Sequence, residues 1–154
     1  MWFKLSEFAV SASYPKLVEQ PTGVIAANIQ NLIVKLLDPV RVKLGKPIKV
    51  TSGYRPPKLN DAVKGAKNSN HLYGYAADLI TGNGRSDNLK IVYAIFELGL
   101  DFDEIIIEKG SLSAPQWIHV ALKPSGNRKK FLYSPDGKTY KQLKISHSYK
   151  IEYK

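Results

Sequence analysis

Ser69-Asn70-His71-Leu72-Tyr73-Gly74-Tyr75-Ala76-Ala77-Asp78 places a histidine on a polar loop and an aspartate in the strand that follows. Residues 75–80 (YAADLI) are apolar enough to form that strand, and Gly74 turns the chain into it. Side chains alternate along a strand, so Ala76 and Asp78 share a face, and Ala76 is small enough to leave room beside a bound ion. A second histidine, His119, lies in the apolar run Trp117-Ile118-His119-Val120-Ala121. Two imidazoles and one carboxylate form the ligand set of a catalytic zinc site, with a fourth position left for water. A zinc ion there would supply a nucleophile at neutral pH without a serine or cysteine. By themselves the residues leave other readings open: a histidine in an apolar strand is often a core residue, and an aspartate beside a turn is often a cap.

Around this segment the periodicities alternate. Upstream, Pro21-Thr22-Gly23 opens an amphipathic stretch in which Ile25, Ile29, Leu32, Ile33 and Leu36 recur at helical spacing. The pattern predicts one long helix, disturbed at Asp38-Pro39 and closed by Gly45. A short strand at 48–51 runs into Ser52-Gly53-Tyr54-Arg55-Pro56, and a proline-initiated helix is expected over 57–63. Downstream, Ser86 is positioned to cap a second helix carrying Leu89, Ile91, Val92, Ile95 and Phe96. Strands follow at 104–108 and 117–122, and hairpin strands near 130–133 and 139–145. Helices early and strands late predict an α+β fold, with helices packed on a mostly antiparallel sheet that bears the His/Asp/His site.

Composition narrows the chemistry. With 154 residues and no internal repeat or linker, the chain is expected to form a single domain, 1–154. It has no cysteine, which excludes disulfides, thiol nucleophiles and cysteine-held metals. No apolar run reaches the ~20 residues of a membrane-spanning helix. The N-terminus lacks the pattern of a signal peptide, so synthesis in the cytoplasm is expected, with the route outward left open. Net charge is +10, most of it from the tyrosine-interleaved segment 123–154. Lysines there could guard sheet edges, or meet an anionic wall polymer or nucleic acid.

The string from Ser69 to Asp78 fills every fixed position of the pattern S-x-H-x-x-G-x-A-x-D. With Ser52-Gly53-Tyr54-Arg55-Pro56 before it and Trp117-Ile118-His119 after it, the chain resembles the zinc D-alanyl-D-alanine carboxypeptidase family. That family includes the vancomycin-resistance D,D-dipeptidase and phage endolysins that cut L-alanyl-D-glutamate bonds. The resemblance covers about residues 1–122 and leaves out the basic, hairpin-rich segment 123–154. It implies one zinc ion held by His71, Asp78 and His119, with Arg55 as a catalytic and substrate-binding residue and Ser69 beside it in substrate binding or bracing. Many relatives carry an acid three residues before the last histidine, where this chain has Gln116, which cannot accept a proton. The nearest acid upstream is Glu108, which the resemblance then implies as general base. His147 matches no motif position.

These readings converge on a zinc metallopeptidase of bacterial or phage origin that hydrolyses peptidoglycan stem peptides. The expected partner is the peptidoglycan peptide at the cell wall or periplasm, with no nucleic acid involved and the protein monomeric. The alternative is a catalytically silent zinc-containing module that binds cell-wall peptide or a protein partner.

Overall fold

A computed structural model describes all residues, 1–154. Its centre is a seven-stranded sheet made of β1 (Lys49–Ser52), β2 (Ala76–Ile80), β3 (Glu104–Glu108), β4 (Trp117–Ala121), β5 (Lys130–Ser134), β6 (Lys141–Ile145) and β7 (Ile151–Tyr153). The spatial order is β1-β2-β4-β3-β5-β6-β7. All neighbours are antiparallel except β3 and β5, which run parallel.

The long amphipathic stretch forms one rod in three parts: α1 (Gly23–Leu32), a π-helical turn at Ile33–Leu37, and α2 (Asp38–Leu44). Pro39 has no N–H for the carbonyl of Lys35, and its ring crowds that carbonyl in a regular helix. The chain widens just before it, and Asp38 N–H reaches back to Ile33 O. The turn keeps Ile33, Leu36 and Leu37 buried, so the helical face continues past the proline. Short α3 (Pro57–Ala62) and longer α4 (Leu89–Glu97) complete the helices. Ser86 does not cap α4. It begins a 3-10 turn, Ser86–Asn88, that leads into the helix. Asn88 stands at the helix start, with its side chain turned to the backbone of Thr81, Pro115 and Gln116.

The strands alternate as their sequences require. Ala77 and Leu79 of β2, Ile105 and Ile107 of β3, and Ile118 and Val120 of β4 are buried in one core with the rod and α4. Each such Ile, Val or Leu contributes roughly 1.5–3 kcal/mol of burial. The residues between them face the other way: Asp78, Glu104, Glu108 and His119 line a cleft of about 960 Å³ on the sheet's open face. One face of the sheet holds the fold together while the other carries titratable groups.

The C-terminal segment is part of this sheet. β5 lies along β3, with Phe131 and Tyr133 buried in the common core, and β6 adds Leu143. Sequence periodicity located β5 and β6 but not β7, whose three residues pair with β6 at the edge.

Candidate metal centre

Cross-strand register brings the centre together. Asp78 on β2 pairs with His119 on β4, and His119 pairs with Ile106 on β3. A register irregularity between Val50 and Ser52 in β1, opposite Asp78, turns the chain so that Ser52–Arg55 runs beside the carboxylate. His71 arrives from a 3-10 turn, Asn70–Tyr73, which Ser69 caps by accepting the His71 N–H on Oγ. Gly74 ends this turn at φ 75°, where a Cβ would also meet Ile25 O at 2.7 Å. Both reasons require glycine at that position.

The Ser52-Gly53-Tyr54-Arg55 segment orients His71 from the other side. His71 Nδ1 lies 2.7 Å from Gly53 O. A carbonyl can only accept, so Nδ1 carries the proton and Nε2 presents a lone pair. Arg55 N–H donates in turn to His71 O. Gly53 is required because a Cβ would stand 2.6 Å from Phe8 Cα. His119 is fixed by the same logic, since its Nε2 donates to the Glu104 carboxylate at 3.0 Å and Nδ1 faces inward.

Three ligand atoms therefore converge: His71 Nε2, Asp78 Oδ1 and His119 Nδ1. They are separated by 3.2 Å, 3.1 Å and 3.3 Å. A tetrahedral ion with bonds of about 2.0–2.1 Å needs its ligands roughly 3.3 Å apart, which fits the triangle. The residues are 2%, 5% and 6% exposed. Three lone-pair atoms packed this closely and away from water require a positive charge among them. Burial disfavours the charged imidazole of His119, yet hydrogen bonds to Asp78 and Glu104 push it up to about 10. Burial also opposes the Asp78 charge, but the two histidines hold its carboxyl well below the usual range. His71 is lowered by burial, with Arg55 and His119 adding to the effect.

Arg55 reaches the second oxygen of Asp78, with Nη2 at 3.4 Å from Oδ2, and its Nε donates to Ser52 Oγ at 3.1 Å. Asp78 thus directs one oxygen at the histidines and the other at the guanidinium. Glu108 lies on the same face of β3 as Glu104, opposite Trp117, and is 9% exposed. Burial raises its carboxyl to about 7, and the charge of Asp78 adds to the rise. Glu108 lines the cleft with the three ligand residues, whereas Gln116 is not among the lining residues. His147, in the C-terminal segment, is likewise absent from the lining.

Two residues near the centre were missed from sequence. Glu104 orients His119, and the alternation Glu104-Ile105-Ile106-Ile107-Glu108 was the available signal that both acids face one way. Asp103 is buried and ties the loop of His71 to the C-terminal segment, accepting from Asn70 Nδ2 at 3.1 Å and Arg128 Nη2 at 2.7 Å. Nothing in the local sequence signalled it.

Residues 3–121 match the model of a family described as peptidase M15. A 38-residue stretch is 53% identical to the zinc D-Ala-D-Ala carboxypeptidase of Streptomyces albus G. That stretch is 25% of this chain and 15% of the length of that relative. The matched region contains every strand that carries the centre, and its buried His71, Asp78 and His119 have the donor chemistry a peptidase metal needs, so the chain belongs to the peptidase M15 family.

Proposed function

We propose that this protein is a zinc-dependent peptidase that hydrolyses peptidoglycan stem peptides, acting as a D,D-carboxypeptidase or an L-alanyl-D-glutamate-type endopeptidase. One observation carries the reading: His71 Nε2, Asp78 Oδ1 and His119 Nδ1 converge within 3.3 Å of one another, with the outer ring nitrogens held by Gly53 O and Glu104, in an open cleft shared with a buried carboxylate of raised pKa. His71 Nε2, Asp78 Oδ1 and His119 Nδ1 would hold the ion. When bound, zinc supplies a Lewis acid that acidifies water and polarises a carbonyl.

The chain's own residues supply the remaining chemistry. Glu108 takes the proton of the attacking water and returns it to the leaving amine, a role suited to a carboxylate with pKa near working pH. Arg55 is a fixed cation at the cleft, placed to stabilise developing negative charge on the scissile carbonyl or to hold a peptide carboxylate. Glu104 keeps the His119 ring in its tautomer, and Ser69 braces His71 from the loop. The net charge of +10 suits action on an anionic bacterial wall, whether the protein is of bacterial or phage origin. No helix is long and apolar enough to cross a membrane.

The test is Glu108→Gln in zinc-loaded protein. Wild type and variant should both retain one zinc per chain, and the variant should cut stem peptide about 10²–10⁴-fold more slowly. Equal rates would remove Glu108 from the mechanism. A zinc-loaded wild type that cuts nothing would leave a silent binding module.

A further inference from the structure

The cleft has two electrostatic halves. Its floor on β2, β3 and β4 carries Asp78, Glu104, Glu108 and the two histidines. Its far wall comes from β5, β6 and the turn between them, beyond the residues that match the family model, and that wall is cationic. Ion pairs occupy some of the cations, since Arg128 binds Asp103 and Lys129 faces Asp101. Lys64, Lys130 and Lys138 also line the cleft, and none of the three side chains makes an ion pair. Like charges gathered around a cavity repel one another, and an anion entering between them relieves that repulsion.

The wall is also held in place. Lys130 pairs in register with Glu104, so it stands on the cleft face two strands beyond His119. The turn before β6 is fixed by Asp136, whose carboxylate accepts from the N–H groups of Lys138 and Thr139, each at 2.8 Å. Ser134 Oγ accepts from Gly137 N–H at 2.9 Å. Lys138 is therefore presented by an ordered turn, which lowers the entropy lost on binding. Across the sheet, His119, Ile106, Leu132 and Gln142 form one rung. With strands about 4.8 Å apart, β5 and β6 lie roughly 10–15 Å from His119, a span of about three to four extended residues at ~3.3 Å each.

Resting on the peptidase reading above, we propose that Lys130 and Lys138 form a subsite for a carboxylate carried by the substrate some residues away from the bond that is cut. The preferred substrate class is then an acidic peptide, selected by a wall that this chain adds to the metal-bearing sheet. Because both lysines are exposed and outside the core, their replacement leaves the fold's packing intact.

The probe is the pentapeptide L-Ala-γ-D-Glu-L-Lys-D-Ala-D-Ala, used intact and with each carboxyl amidated in turn. Its dissociation constant is measured by calorimetry on zinc-loaded Glu108→Gln protein, and cleavage is measured separately on zinc-loaded wild type. Amidation of one carboxyl should weaken binding about tenfold or more, as loss of a charge-assisted contact does. In the background of Lys130→Ala with Lys138→Ala that difference should fall to about twofold or less, and Lys130→Arg with Lys138→Arg should restore it. The subsite is overturned if no amidation matters, or if the alanine pair keeps the full difference. Failure of wild type to cut the peptide while the binding pattern holds would reject the peptidase reading and keep the subsite.

Discussion

His119 is suspended between two carboxylates, with Asp78 at Nδ1 and Glu104 at Nε2, and this is what aims its lone pair at the centre. Glu104→Gln keeps the shape and weakens the acceptor, so zinc affinity should fall about 10–100-fold in a competitive chelator titration. Unchanged affinity would mean that Glu104 does not orient the ring. Glu108 gives a prediction of different sign. Burial raises its pKa from 4.5 to about 7, and a zinc ion bound beside it would lower it from there. A base works only when deprotonated, so kcat/KM should fall as pH drops, with an apparent pKa between 4.5 and about 7. A rate profile flat across that interval would contradict the assignment. That His71, Asp78, His119 and Glu108 would share one cleft was legible because histidines and acids are written directly in the sequence. Glu104's role was not, because it arises from the pairing of β3 with β4, and cross-strand register is absent from any local string.

At the level of elements, the Ser52–Arg55 segment links the N-terminal turn to the candidate metal centre. Tyr54 N–H donates to Phe8 O, Gly53 O receives His71, and Arg55 reaches Asp78. Gly53→Ala would force Cβ against the Phe8 backbone, at a cost of roughly 1–3 kcal/mol. Thermal melts should show that loss together with weaker zinc binding, because Gly53 O moves with Phe8. A variant as stable and as zinc-avid as wild type would show that the segment does not brace His71. The helical rod was readable through its proline, since the apolar spacing persists across Pro39 and only the π-turn that accommodates it was hidden. The Ser86 cap misled because serine is a common cap, whereas Asn88 is held by Pro115 and Gln116, which are distant in sequence.

For the molecule as a whole, the basic segment completes the sheet. Parallel pairing of β5 with β3 covers an edge of the strand that bears Glu104 and Glu108. Arg128 neutralises the buried Asp103 carboxylate and holds it down near 2. A chain ending at residue 122 would expose that edge, leave Asp103 without its guanidinium and remove Phe131, Tyr133 and Leu143 from the core. Such a fragment should lose its cooperative melt in near-ultraviolet circular dichroism, and a melt like that of the full chain would show the segment to be dispensable. Composition identified the segment as basic and strand-forming. It could not place the segment against β3, because parallel partners far apart in sequence share no local signal. The most informative measurement is mass spectrometry of purified peptidoglycan and its soluble muropeptides after digestion, with and without a zinc chelator. We expect a mass loss that names the cut bond, present with zinc and abolished by the chelator. Product that persists in chelator, or no product from protein carrying one zinc per chain, would contradict a zinc peptidase built on His71, Asp78 and His119.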